Sequence, residues 1–141
     1  MIVLAYDHRA FKLMAKIKEY LTKIGEQYVE FASPEYDGKD SYAEYAKKAN
    51  KYMVEHPEAK GIYSCRTGIG IAMAGNRQKG VRAGVCTTVK TTFLARNDDD
   101  MNVLVIPATT CFCKVKKLIN TFLNTPFEGG RHEARVQALD N

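Results

Sequence analysis

The segment Cys65-Arg66-Thr67-Gly68-Ile69-Gly70 is the part of the chain best equipped for chemistry. It follows a short apolar run, residues 61–64, that has the length of a β-strand. The two glycines let a ligand approach the backbone, and a helix beginning there would present free N–H groups and the positive end of its dipole. That field would lower the pKa of the Cys65 thiol, which makes it a candidate thiolate. The alternative is that Cys65 is a small buried residue and the glycines only form a tight turn.

A second polar pair, Asp7 and His8, follows the first apolar run, residues 2–6. If the predicted strands form a parallel sheet, this pair, the Cys65 loop and residues 97–102 lie at carboxyl ends of strands, where α/β proteins bind their ligands. The alternative is that Asp7 only caps the first helix and that His8 lies in its exposed first turn.

Two further clusters could hold a metal ion, but their spacing argues against it. Asp98, Asp99 and Asp100 are consecutive, so their carboxylates do not all face one point. Cys111 and Cys113 lack the two-residue spacing and the second pair of a zinc site, which favours core packing at a helix start. We therefore expect no metal or other cofactor.

Short apolar runs alternate with longer amphipathic stretches along the chain. The predicted strands are residues 2–6, 27–31, 61–64, 81–85 and 101–106. The predicted helices follow them at residues 11–24, 42–53, 72–74, 88–97 and 110–124. Because parallel strands need helical crossovers, this alternation predicts an α/β fold, a Rossmann-like three-layer arrangement with a five-stranded parallel sheet and helices on both faces.

Length and composition restrict the class of protein. The chain has 141 residues, which predicts one domain, and we place it at residues 1–125, followed by a polar arm at 126–141. No apolar run approaches the roughly 20 residues needed to cross a bilayer. The net charge of +5 comes from scattered basic residues, so neither nucleic acid nor membrane is an expected partner. With no basic leader before the first strand, we expect a cytoplasmic protein whose four cysteines are free thiols.

Taken together, these motifs resemble the type B ribose-5-phosphate isomerases, a family that also includes sugar-phosphate isomerases of the galactose-6-phosphate type. The resemblance runs in register over nearly the whole chain. It rests on Asp7-His8, on the Cys65 loop continuing to Arg77, and on three later segments. These segments are Gly80-Val81-Arg82-Ala83, Asn102-Val103-Leu104 and Glu128-Gly129-Gly130-Arg131-His132-Glu133-Ala134-Arg135-Val136.

The resemblance implies a metal-independent aldose–ketose isomerase that works through a cis-enediolate, with Cys65 as the base. Thr67, Gly68 and Gly70 would hold the enediolate oxygens, and Tyr42 would lie near the site. Other implied substrate-binding residues are Asp7 for sugar hydroxyls and His8, Arg131 and Arg135 for the phosphate. The resemblance also implies a homodimer or a tetramer of dimers, in which the arm reaches into the neighbouring subunit's site.

Two positions depart from the family pattern. Asp98 and Asp99 replace a His-Asn pair, and in the family the histidine of this pair is thought to open the furanose ring. An aspartate is a poor proton donor at pH 7 unless burial raises its pKa. Thr109 replaces a phosphate-binding arginine. We expect interconversion of ribose 5-phosphate and ribulose 5-phosphate, with Asp98 as a catalytic residue and Asp99 as a substrate-binding one. The alternatives are an isomerase of another phosphorylated sugar and a non-catalytic sugar-phosphate-binding homologue.

Overall fold

Strands and helices alternate along the chain as the sequence predicts, in a computed structural model that describes residues 1–141. The strands are β1 (Ile2–Tyr6), β2 (Tyr28–Phe31), β3 (Lys60–Ser64), β4 (Ala83–Val85) and β5 (Val103–Val105). The α-helices are α1 (Phe11–Lys23), α2 (Tyr42–Glu55), α3 (Ile69–Gly75), α4 (Val89–Asp99), α5 (Phe112–Asn124) and α6 (Glu133–Ala138). Two 3-10 turns lie at His8–Ala10 and Gly130–His132. No helix combines the length and the apolar character that a membrane span requires.

All the strand pairings are parallel, in the order β2-β1-β3-β5-β4. The α/β class and the five-stranded parallel sheet are therefore confirmed. From β1 the chain crosses to β2 on one side and then to β3 on the other, so the crossovers diverge between β1 and β3. In open α/β sheets a crevice forms at this point, outside the carboxyl ends of the two strands.

The central strand β1 divides the core into two layers. Ile2, Leu4 and Tyr6 face a buried cluster that includes residues of α1 and α5. Val3 and Ala5 face the other cluster, with residues of α2 and α3. Every residue of β1 is buried, as expected for a strand covered on both faces, whose side chains alternate between them. Helices therefore cover both faces of the sheet.

Strands β4 and β5 are shorter than predicted, because polar contacts rather than strand pairing hold the residues before them. Asn102 accepts a hydrogen bond from the N–H of Arg82 and donates one to the carbonyl of Gly80, so Val81 is buried without joining a strand. Helix α4 runs to Asp99, two residues beyond the predicted end. Asp100 ends it in the left-handed conformation, with φ of 47°.

Exposure of Cys111 and Cys113 shows that the core-packing interpretation of this pair is wrong. Only the residue between them, Phe112, packs against the core. Cys65 and Cys86 are buried, and all four cysteines are free thiols, as expected.

The arm at residues 126–141 packs on the chain's own surface, at the amino edge of the sheet. The N–H of Glu128 donates to the carbonyl of Asn97 at the end of α4 (3.0 Å). The Asp140 carboxylate accepts the N–H of Gly80, just before β4 (2.9 Å). His132 is only 5% exposed, so the arm buries one polar residue against the domain.

The carboxylate of Asp100 generates a stability prediction. It binds Arg82 (2.8 Å) and the buried Arg96 (2.9 Å). We expect Asp100→Ala to lower the free energy of unfolding by about 1.5 to 3 kcal/mol, because it removes two charge-assisted hydrogen bonds. The exposed neighbour gives a matched control, since Asp99→Ala should change it by less than about 0.5 kcal/mol. Urea denaturation at fixed protein concentration measures both values, and equal shifts in the two variants would contradict the prediction.

Candidate active site

Pairing of β1 with β3 brings the two chemical segments together at the carboxyl edge of the sheet. Tyr6 lies beside Ser64 in the parallel register, so the next residues, Asp7 and Cys65, leave their strands at the same level. Neighbouring strands are about 5 Å apart. The two residues therefore lie side by side at the point where the crossovers diverge, as the sequence predicts.

Cys65 is held firmly at the end of β3. Its side chain is buried, and its carbonyl accepts the N–H of Ala108, 3.0 Å away, in the segment after β5. The hydroxyl of the preceding Ser64 donates to the carbonyl of Ile106. These contacts fix the strand end against β5, so the thiol has a defined position.

Both glycines of the loop are required by their surroundings. Gly68 has φ of 77°, in the left-handed region, and a Cβ there would lie 3.0 Å from Cγ1 of Val105. A Cβ on Gly70 would lie 2.6 Å from Cζ of Tyr42. The Tyr42 ring therefore packs directly on the loop, and a side chain at position 70 would displace it. This contact brings Tyr42 to the loop of Cys65.

The loop carries hydrogen-bond donors that are not used within the chain. The N–H groups of Gly68 and Gly70 make no intrachain hydrogen bond. Oγ1 of Thr67 accepts the N–H of Ile69 (3.2 Å), which leaves the hydroxyl hydrogen free to donate. Helix α3 has only seven residues, so the local donors matter more here than a long helix dipole. A developing oxyanion close to the thiol would meet up to three donors.

Asp7 caps the first helical turn and is also buried at the crevice. Its Oδ1 accepts the N–H of Arg9 (3.0 Å). Burial raises the pKa of Asp7 above its usual value, mainly by desolvation.

His8 is held by a residue that sequence reasoning missed. Nδ1 of His8 lies 2.7 Å from Oδ1 of Asp40, and the backbone N–H of His8 donates to the same oxygen (3.0 Å). Asp40 precedes α2 and is 32 residues away in sequence. No motif marks this aspartate, because its importance arises only from the packing of the α2 entry loop against His8.

Asp98 lies at the opposite edge of the sheet from Cys65. Helix α4 starts after β4 at the carboxyl edge and must return the chain to the amino end of β5, because the two strands are parallel. Eleven residues of helix span about 16 Å. The expectation that residues 97–102 lie at carboxyl ends of strands is therefore wrong, because this segment precedes β5 rather than following a strand. The structure does not bring Asp98 and Cys65 of one chain together, although both are candidate catalytic residues.

A histidine of the arm lies beside Asp98. Nε2 of the buried His132 is 3.0 Å from Oε2 of Glu128 and 3.7 Å from Oδ1 of Asp98, which also accepts a hydrogen bond from the side chain of Asn97 (2.9 Å). His132 makes no well-directed hydrogen bond through Nε2. Sequence reasoning did not assign a role to Glu128 or His132, although both belong to the carboxyl-terminal motif. The imidazole of His132 thus lies next to Asp98, the position at which the family pattern has a histidine.

The remaining predicted binding residues divide between two places. Arg131 and Arg135 lie on the turn and helix next to His132, are exposed, and form no ion pair within the chain. Asp99 is also exposed but lines a separate cavity of about 520 Å³ with the last residues of the chain. The arm therefore presents two unpaired arginines at the amino edge. Asp99 does not face the cluster formed by Asp98, Glu128 and His132.

Two groups of side chains have the residue types to hold a metal ion. They are Asp7, His8 and Asp40 at the carboxyl edge, and Asp98, Glu128 and His132 at the amino edge, each with ligand atoms within 4.8 Å of one another. In each group the imidazole already lies within 3.0 Å of a carboxylate oxygen. Each cluster is therefore an imidazole in close contact with carboxylate oxygens.

Known proteins match this chain over nearly its full length. The family described as Ribose/Galactose Isomerase matches residues 2–139. A probable ribose-5-phosphate isomerase B of Mycoplasma pneumoniae is 35% identical over 96% of this chain and 90% of the relative. The ribose 5-phosphate isomerase structure of Thermotoga maritima has a TM-score of 0.93 at 36% identity, covering 99% of this chain and 96% of that one.

A further structure was determined with a sugar phosphate bound. Ribose-5-phosphate isomerase B of Mycoplasma genitalium, described with bound ribulose-5-phosphate, has a TM-score of 0.92 at 32% identity, covering 98% of this chain and 92% of that one. Sequence and fold agree, and this chain belongs to the ribose/galactose isomerase family.

Proposed function

We propose that this protein interconverts ribose 5-phosphate and ribulose 5-phosphate without a metal ion, with the Cys65 thiolate as the base. The observation that carries the proposal is the position of Cys65, beside Asp7 and at the start of a loop with unused donors. The relatives named as ribose-5-phosphate isomerases support the substrate, as does the ribulose-5-phosphate bound in one of them. Turnover of ribose 5-phosphate by the purified protein tests the proposal and separates it from a non-catalytic binding function.

The proposed reaction moves one proton between neighbouring carbons. Cys65 takes the proton from carbon 2 of the open-chain aldose, the C–H electrons form the carbon 1–carbon 2 double bond, and the carbonyl electrons move to oxygen 1. The N–H groups of Gly68 and Gly70 and the hydroxyl of Thr67 stabilise this charge, which develops only during the reaction. The thiol then returns the proton to carbon 1, while the hydroxyl proton of oxygen 2 moves to oxygen 1 and carbon 2 becomes the carbonyl. Asp7 binds sugar hydroxyls, and Tyr42 closes the side of the loop.

A complete site requires a second copy of the chain in this proposal. His8 at the carboxyl edge is the only one of the three proposed phosphate ligands near Cys65, whereas Arg131 and Arg135 lie at the amino edge of the same chain. Exposed apolar side chains accompany the edge strand β4 and its neighbouring helices, a surface suited to a second copy. These are Ile69, Met73, Val85, Val89, Phe93 and Leu94. In the resulting homodimer, the arm of one protomer completes the crevice of its partner.

Asp98 and His132 together supply proton transfer for ring opening in the proposed mechanism. The carboxylate alone is a poor donor at pH 7, but an imidazole lies 3.7 Å from it. His132 can carry the proton that the ring oxygen needs, while Asp98 accepts the proton of the anomeric hydroxyl. Oε2 of Glu128 lies 3.0 Å from the same imidazole nitrogen. The arm thereby compensates for the histidine that position 98 lacks.

A different phosphorylated sugar is the second candidate substrate, because Thr109 stands where the family pattern has a phosphate-binding arginine. Thr109 is exposed and forms no side-chain hydrogen bond, so it does not replace a charged phosphate donor. One missing donor of this kind costs about 1.5 to 3 kcal/mol of binding free energy. Comparison of kcat/KM for ribose 5-phosphate and galactose 6-phosphate decides between the two substrates.

Replacement of Cys65 tests the base directly. We expect Cys65→Ala and Cys65→Ser each to lower kcat/KM by far more than about tenfold, because neither side chain offers a thiolate. Cys86→Ala is the matched control, since Cys86 is equally buried (3% against 4% exposed) but lies after β4. Steady-state kinetics and circular dichroism measure activity and folding. A Cys65 variant that retains more than about a tenth of the activity would exclude Cys65 as the base.

Mixing two inactive variants tests the shared site. Cys65→Ala damages the crevice and Arg135→Ala damages the arm. A mixed dimer therefore contains one site in which an intact crevice of one protomer meets an intact arm of its partner. After subunit exchange we expect activity to return to as much as about a quarter of the wild-type value, because half the dimers are mixed and each holds one intact site. Native mass spectrometry verifies the mixed dimers. If they form and remain inactive, the two halves do not come from different subunits.

Variants at Asp98 test ring opening separately from proton abstraction. We expect Asp98→Asn to lower turnover of ribose 5-phosphate, while exchange of the carbon 1 proton of ribulose 5-phosphate with D₂O continues, because that ketose needs no ring opening. In the wild type, deuterium at carbon 2 should have only a small isotope effect. Asp98→His should raise turnover and enlarge that isotope effect. His132→Gln should behave like Asp98→Asn, and Asp99→Asn is the control. A full isotope effect in the wild type with unchanged kinetics in both Asp98 variants would refute this role.

A further inference from the structure

Cys111 and Cys113 bring two exposed thiols together at the start of α5. Their sulfur atoms are 3.0 Å apart. Side chains two residues apart diverge inside a helix, but Cys111 lies just outside it, with an extended backbone (φ −64°, ψ 141°). The end of the helix therefore creates the pair.

The surrounding residues hold this arrangement in place. The carbonyl of Cys111 accepts the N–H groups of Lys114 and Val115, both at 3.0 Å. Between the two cysteines, Phe112 packs edge-on against Tyr20, with ring centres 6.4 Å apart. The aromatic residue anchors the segment to the core, while both sulfur atoms remain in solvent.

The environment of the pair favours a reactive thiolate. The thiol of Cys113, the N–H of Lys114 and the charge of that lysine lower the pKa of Cys111. The cysteines line a cavity of about 310 Å³ together with Thr88, Lys114 and Lys117. In contrast, Cys86 is buried, so a soluble oxidant meets the exposed pair before it.

We propose that Cys111 and Cys113 are a modification site, a dithiol that low-molecular-weight hydroperoxides convert reversibly into an intramolecular disulfide. The Cys111 thiolate attacks the peroxide, so an S–O bond forms and the O–O bond breaks, and hydroxide leaves from hydrogen peroxide or alkoxide from an organic hydroperoxide. The Cys113 thiolate then attacks the sulfenic sulfur, so the S–S bond forms and the S–O bond breaks, and the departing hydroxide takes up the proton released by the Cys113 thiol to give water. Two electrons pass from the sulfur atoms to the peroxide, and a dithiol reductant reverses the change.

This site shares no residue with the proposed sugar-phosphate site, so its test does not depend on isomerase activity. Trypsin cleavage after Arg96 and Lys114 leaves both cysteines on one peptide, residues 97–114. With one equivalent of hydrogen peroxide, we expect that peptide to lose about 2 Da and to regain it with dithiothreitol. The peptide that carries the buried Cys86 serves as the internal control and should remain unchanged.

Two single variants establish the order of the steps. In Cys113→Ser the sulfenic acid on Cys111 has no resolving partner, so dimedone should trap it, whereas the wild type should yield little adduct. Cys111→Ala should react with peroxide several-fold more slowly, because the remaining thiol lacks the hydrogen bond from its partner. No loss of 2 Da, a disulfide that joins two chains, or equal dimedone labelling of wild type and Cys113→Ser would each overturn the proposal.

Discussion

Parallel pairing of β1 with β3 is the interaction on which the site depends. It sets Asp7 and Cys65 side by side, because Tyr6 and Ser64 occupy the same register position in strands that run the same way. A shift of one residue would also turn the apolar side chains of β1 toward the wrong core layer. Burial of β1 on both faces therefore fixes the register, and the register fixes the geometry of the crevice.

The same parallel arrangement separates the other functional residues from Cys65. Each crossover must return the chain to the amino edge before the next strand begins, so the end of α4 and the arm that packs on it lie at that edge. Arg131 and Arg135, whose charge suits a phosphate, lie there without ion-pair partners. In the proposed dimer, a second copy of the chain brings the two edges together through the exposed apolar side chains beside β4.

The electrostatic environment of each aspartate at the amino edge depends on tertiary contacts that the residue type does not indicate. Of the three consecutive aspartates, Asp100 binds two arginines and stabilises the turn into β5, while Asp98 lies next to His132 and Glu128. Asp99 faces a separate cavity. Three identical side chains thus have three different environments, because each consecutive residue points in a different direction at the end of a helix.

The order of strands and helices, the parallel sheet and the two carboxyl-edge segments could all be predicted from the sequence by itself, because hydrophobic periodicity and glycine placement act locally. The position of Asp98 on the far edge, the bond of His8 to an aspartate 32 residues away and the burial of His132 could not. Exposure of Cys111 and Cys113 was missed as well, since a core-facing Phe112 between them gives the segment an apolar appearance. These features were decided only by tertiary packing, because they depend on which distant segments meet when the crossovers fold onto the sheet.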